Sequence, residues 1–153
     1  MALYGAEATF HSGLGFNILY KVLQRYPLPS DSPFFNQFFN ILHGCRPECE
    51  EMARFIVGRC WETGQGAVVG RLDALEAFDV ADRLWRLDVP SLVMAGTRDV
   101  VVPLAHQRAL ASAISGCHFE SIPGAGHVGF LTHRDEVVRH VNAMLRAPHR
   151  SAR

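Results

Sequence analysis

The apolar positions of this chain change rhythm a little past its middle. In the first part they recur at helical spacing: Phe16, Leu19, Tyr20, Leu23 and Tyr26 fall three or four residues apart, which predicts an amphipathic helix. The segment "PLP" stops it. Ser32 then caps a helix whose first residue is Pro33, with Gly44 just past its end. Phe34, Phe35, Phe38, Phe39 and Leu42 give that helix a broad aromatic face. Pro47 opens the next, with acidic residues in its first turn and Gly64 at its close. Val68, Val69, Leu72 and Leu75 begin a further helical pattern that runs on to "AFDVADRLWRL".

Beyond it the texture is that of strands. "VPSLVMAG" is a compact apolar run with β-branched residues, bounded by proline and glycine, and reads as a buried strand. "CHFESI" reads as another, and "ALYG" near the start as a third. "PLAHQRALASAI" and "HRDEVVRHVNAMLRA" are helices, the latter with Val137, Val141, Met144 and Leu145 facing inward. "PHRSAR" is a frayed tail. The order is strand, four or five helices, then strand–helix–strand–helix. Its ending is a parallel βαβ pattern, whose strands need helices on both faces. The chain is therefore α/β, with an internal boundary between a helical block at residues 10–86 and the ending at 87–146.

Composition narrows the function classes. The 153 residues suffice for one domain with a core. Fifteen basic and fifteen acidic residues balance to a net charge of zero, and the basic ones are scattered, so no nucleic-acid partner and no anionic membrane is expected. No apolar run is long enough to span a bilayer. "MALYGAEATF" lacks the basic and apolar regions of a signal peptide, and the four cysteines fit free thiols, so a cytoplasmic location is expected.

Two residues carry the candidate chemistry. Asp99 stands just beyond the strand in "GTRDVVVP", and His127 just beyond the next strand in "PGAGHVGF". Ligands of open parallel sheets bind outside the carboxyl ends of strands. If the two strands are neighbours, a carboxylate could fix the imidazole tautomer and stabilise the imidazolium formed on proton uptake. The plainer reading makes Asp99 a cap of the following helix and His127 a loop histidine; their shared strand-end setting favours the acid–base pair.

"LDVPSLVMAGTRDVVVPLAHQRALASAI" followed by "FESIPGAGHVGFLTHRDEVVRHVNAML" resembles the C-terminal part of an α/β-hydrolase. The family shows a proline-bounded strand with G-x-x-D beyond it, a helix, a short strand and a G-H turn, all in this order here. The resemblance implies a partial α/β-hydrolase fold: a short parallel sheet of about three strands, flanking helices and a helical cap insertion. Residues 1–9 would be the sixth strand, 10–86 the cap, 87–146 the end of the core and 147–153 a tail. It makes Asp99 and His127 the acid and base of a Ser-His-Asp mechanism acting on an ester, lactone or similar small carbonyl substrate. Glu7, after the first strand, holds the place where some relatives keep the acid. The phenylalanines would line an apolar pocket or pack the cap, and core packing is the expected role of most.

The family's nucleophile sits in a G-x-S-x-G elbow that precedes the acid in the chain. Ser12 in "TFHSGLG" has Phe10 where the first glycine belongs, and Ser115 lies between acid and base. Ser30, Ser32, Ser91 and Ser121 lack the context altogether. The chain is thus expected to be the C-terminal part of a longer hydrolase or a truncated product. It would pair with an N-terminal hydrolase half, or a second chain, along an open sheet edge. The alternative is a non-catalytic fragment or interaction module. No cofactor and no metal is expected: His43, Cys45, Cys49 and Cys60 match no zinc spacing, and Cys49 and Cys60 share a helical face with Met52 and Ile56.

Overall fold

The computed structural model describes residues 1–6, 8, 9, 14–27, 29, 32, 33 and 50–147. The readings of Glu7, Ser12, the phenylalanine helix, His43, Cys45 and Cys49 lie outside them, as do the side chains of Phe16, Leu19, Met52, Ile56 and Cys60.

Three strands, β1 (Ala2–Tyr4), β2 (Leu92–Gly96) and β3 (His118–Ile122), form a parallel sheet in the order β1-β2-β3. The proline-bounded run is the central strand, and every residue of it is buried, as a parallel strand covered on both faces requires. Register sets Leu3 and Phe119 on either side of Val93, and Tyr4 and Glu120 on either side of Met94. Side chains alternate between the faces of a sheet. Val93 therefore packs with Leu110, Ala111 and Ile114, while Leu92 and Met94 pack with Ile122 and Ala125 on the other face. Each of these large β2 side chains contributes about 1.5–3 kcal/mol by leaving water.

Helices close both faces. The connection from β2 to β3 runs through α4 (Leu104–Ala113), whose Leu110 and Ala111 cover the Val93 face beside Leu84. The opposite face is covered by Val137, Val141 and Met144 of α6 (Arg134–Arg146), which follows the single turn α5 (Gly129–Thr132). Leu145, expected on that inner face, is 63% exposed. One residue is a turn of about 100°, which carries it off the stripe formed by the other three.

Among the described residues, three α-helices precede the sheet's last two strands: α1 (Leu14–Arg25), α2 (Glu50–Thr63) and α3 (Gln65–Glu76). Gly64 separates the last two with a φ of 76°, which only glycine adopts freely. Tyr20 and Leu23 of α1 are buried, and the Tyr20 hydroxyl donates to Asp73 of α3. Gln65 donates to the carbonyls of Leu23 (2.5 Å) and Tyr26 (2.6 Å), acceptors left unpaired by the end of α1. The apolar face expected on α3 is thinner than the sequence suggests: none of its residues is buried and Leu75 is exposed. Nor does that helix run on to Leu87. Asp79 accepts from the Ala81 amide (3.0 Å) and the Thr9 hydroxyl (2.7 Å). The first is a local side-chain bond of the kind that competes with the helical ladder. The chain restarts as a short 3-10 helix, Ala81–Arg86, which delivers Leu84 to the core. Among the described residues no helix is long and apolar enough to cross a membrane.

Candidate active site

The carboxyl ends of β2 and β3 bring Asp99 and His127 together. The strands are neighbours, so the loops after them share one end of the sheet, and Nδ1 of His127 lies 3.1 Å from Oδ2 of Asp99. A carboxylate can only accept, so Nδ1 carries the proton of this bond, and in the neutral ring Nε2 then presents its lone pair. The Asp99 side chain is fully buried whereas that of His127 is 31% exposed. One end of the pair is thus enclosed and the other reaches the surface. Nε2 makes no hydrogen bond among the described residues.

The carboxylate is held from several directions. Its Oδ1 accepts from the amides of Val101 and Val102, both at 2.9 Å. Its Oδ2 faces His127 and also accepts from Nε2 of Gln107 at 3.2 Å. Asp99 does not cap α4, where Pro103 holds the N-cap position. Its oxygen is spent on the loop, which it folds back toward the histidine.

The two loops are stitched to each other through the backbone. The amides of Thr97 and Arg98 donate to the carbonyls of Ile122 (3.1 Å) and Ala125 (2.9 Å). In return the Thr97 hydroxyl accepts from the Gly124 amide at 2.9 Å. Gly96 is needed for this approach, since a Cβ there would strike the backbone carbonyl of Ala125. From the far side of the sheet, the Tyr4 hydroxyl donates to the Gly126 carbonyl at 2.9 Å, anchoring the turn just ahead of His127.

Gln107, Thr97, Tyr4 and Gly5 are the contributors that sequence reasoning misses. Only Gln107 left a signal there. It shares the spacing of Leu110, Ala111 and Ile114, so it is a polar residue at the head of an apolar stripe.

Ser91, Ser112, Ser115 and Ser121 make no hydrogen bond to His127. Ser91 and Ser115 precede β2 and β3, at the amino end of the sheet, with Ser91 donating to the Val89 carbonyl. A strand of this length separates them from the site by roughly 16 Å. Ser112 lies on α4, and Ser121 on β3 is exposed. The described residues hold no group of three or more His, Cys, Asp or Glu side chains placed to ligate a metal ion.

A parallel sheet carrying an aspartate and a histidine beyond adjacent strands has the architecture of the second half of an α/β-hydrolase. Comparison with known proteins agrees. The chain is 35% identical over 112 residues to the "Putative non-heme chloroperoxidase" of Synechocystis sp., an alignment spanning 69% of this chain and 39% of that protein. It is 35% identical over 86 residues to the pimeloyl-[acyl-carrier protein] methyl ester esterase of Xanthomonas campestris pv. campestris, covering 56% of this chain and 34% of the esterase. The crystal structure of a hydrolase from Pseudomonas aeruginosa superposes with a TM-score of 0.80 at 19% identity, over 95% of this chain and 55% of that one. No family model matches the chain. The chain belongs to the α/β-hydrolase family, and spans about half or less of the length of the relatives it matches.

Proposed function

We propose that Asp99 and His127 are the acid and base of a hydrolytic site that acts on an ester, lactone or similar small carbonyl compound. The observation that carries this is the 3.1 Å contact between a fully buried carboxylate and a partly exposed imidazole at the carboxyl ends of adjacent strands. In this reading Nε2 of His127 takes the proton of a nucleophilic hydroxyl as it attacks the carbonyl, then returns it to the leaving group. Asp99 keeps the Nδ1–H tautomer in place and stabilises the imidazolium between the two steps.

The nucleophile would come from a segment paired along the outer edge of β1, which has β2 as its neighbour in the described sheet. Residues 10–86 would act as a cap over a core made by 1–9 and 87–146. Val100, 60% exposed beside Asp99, and Phe130, 48% exposed three residues after His127, suit a substrate with an apolar portion. The methyl ester esterase among the relatives lends support to ester chemistry.

The test is carried out on the natural product that contains this chain. Labelling by a fluorophosphonate probe and turnover of short p-nitrophenyl esters are expected, with turnover lost in His127→Ala. Undiminished turnover in that variant overturns the reading. Absence of both labelling and turnover favours a non-catalytic interaction module instead.

A further inference from the structure

Gln107 is wholly excluded from solvent, one turn into α4, in a stripe otherwise occupied by Leu110, Ala111 and Ile114. Its Nε2 donates to Oδ2 of Asp99 at 3.2 Å and to the Val102 carbonyl at 2.7 Å. Its Oε1 is buried with no hydrogen-bond partner among the described residues. Both groups facing Nε2 are acceptors, so turning the amide over would set oxygen against oxygen; the orientation is dictated by its neighbours.

A buried acceptor without a partner is costly, and a side chain of similar shape without polar atoms would leave none at this place in the stripe. We infer that Gln107 is a positioning residue for the Asp99–His127 pair. Its amide pins the carboxylate oxygen that faces the imidazole, and so selects the Nδ1–H tautomer of His127. The geometry supports this directly. The carboxylate turns about Cβ–Cγ as one rigid group, held at Oδ1 by the amides of Val101 and Val102 and, among the described residues, at Oδ2 by Gln107 and the histidine itself. By tying Asp99 and Val102 to α4, Gln107 also couples the loop to the helix that follows it. The catalytic part of this inference rests on the proposed hydrolytic reading; the tautomer selection does not.

The experiment is nitrogen-15 NMR of the His127 ring in the 153-residue chain, compared among wild type, Gln107→Met and Asp99→Asn. The wild type is expected to hold a single Nδ1–H tautomer when the ring is neutral. Gln107→Met is expected to shift its ring nitrogens toward the mixed-tautomer values that Asp99→Asn produces. A Gln107→Met spectrum like that of the wild type, beside an altered Asp99→Asn spectrum, overturns the inference alone. If Asp99→Asn leaves the ring unchanged, the Asp–His pairing falls, and this inference with it. Should Gln107→Met fail to fold, the wild type decides: its Gln107 side-chain amide should be protected from solvent exchange and shift on Asp99→Asn. Exchange at the rate of a free glutamine, or no shift, overturns the proposal. In the active natural product, Gln107→Met should lower kcat about a hundredfold with little change in KM, as expected when catalytic groups are displaced by about 1 Å. Tautomer selection confirmed in a protein without ester turnover would sink the hydrolytic reading and leave the positioning role standing.

Discussion

Gly5 lies directly beneath His127. A Cβ placed on it would come within 3.1 Å of Nδ1 and 3.2 Å of Cε1 of the imidazole, and 3.4 Å from Oδ2 of Asp99. Its φ of 59° is also one that L-residues resist. The turn just past β1 therefore contributes to the site by what it lacks. Gly5→Ala is expected to destabilise the chain by about 1–2 kcal/mol through backbone strain and to push the ring away from Asp99. Urea denaturation measures the first effect, and loss of the downfield Nδ1 proton resonance the second. An unaltered resonance would show that the loop yields without disturbing the pair.

Removing a member of the pair separates chemistry from fold. In the active natural product, Asp99→Asn is expected to lower kcat by about 10³–10⁴, because the amide favours the wrong imidazole tautomer. His127→Ala should be at least as severe. Circular dichroism and thermal melting should show both variants folded, since the loop keeps its backbone bonds from Thr97 and Arg98 to Ile122 and Ala125. A fall in activity that tracks unfolding would contradict this.

Tyr4 and Gly129 form a tight fit behind the histidine turn. The Tyr4 hydroxyl donates to the Gly126 carbonyl at 2.9 Å, and a Cβ on Gly129 would collide with that same hydroxyl. Tyr4→Phe is expected to cost about 0.5–1.5 kcal/mol for the hydrogen bond, and Gly129→Ala about 1–3 kcal/mol for overpacking. The double variant should lose less than the sum, because the nearest colliding atom, the hydroxyl oxygen, is gone, although the ring carbon that bore it and the Ala125 Cβ still crowd the site. Additivity in a denaturation cycle would refute the contact.

The α1–α3 packing predicts a response to alkali. The hydrogen bond from Tyr20 to Asp73, with burial and the carboxylate's charge, pushes the phenol up to about 12 from its usual 10.0. The folded chain therefore holds this proton more tightly than the unfolded chain. The contribution is whole below about pH 10 and is lost as pH rises from about 10 to about 12. Tyr20→Phe should flatten that part of the stability profile; urea midpoints at pH 9 and 11 compare the two.

Much of the scaffold is legible in local pattern. The run from Leu92 to Gly96 announces a buried strand because every position is apolar or small, and it is indeed the covered centre of the sheet. The spacing of Val137, Val141 and Met144 likewise announces the face that α6 lays on that sheet. Pattern overreaches where tertiary contact is sparse. Val68, Val69, Leu72 and Leu75 have a helical period, yet α3 buries no residue. Past the end of α3, Asp79 is tied to Thr9, seventy positions away, a contact that no local window contains.

The candidate site divides in the same way. The sequence by itself determined that an acidic residue and a histidine stand just beyond two successive strands, because strand ends are written in short apolar runs and in glycine and proline. Only the tertiary structure decided that β2 and β3 are neighbours, that Asp99 and His127 lie 3.1 Å apart, and that Gly5, Tyr4 and Gln107 surround them. Hydrophobic periodicity is local, reporting which face of an element is buried. Which side chains meet across elements depends on strand order, register and loop closure, and these bring Tyr4 against Gly126 over a separation of 122 residues.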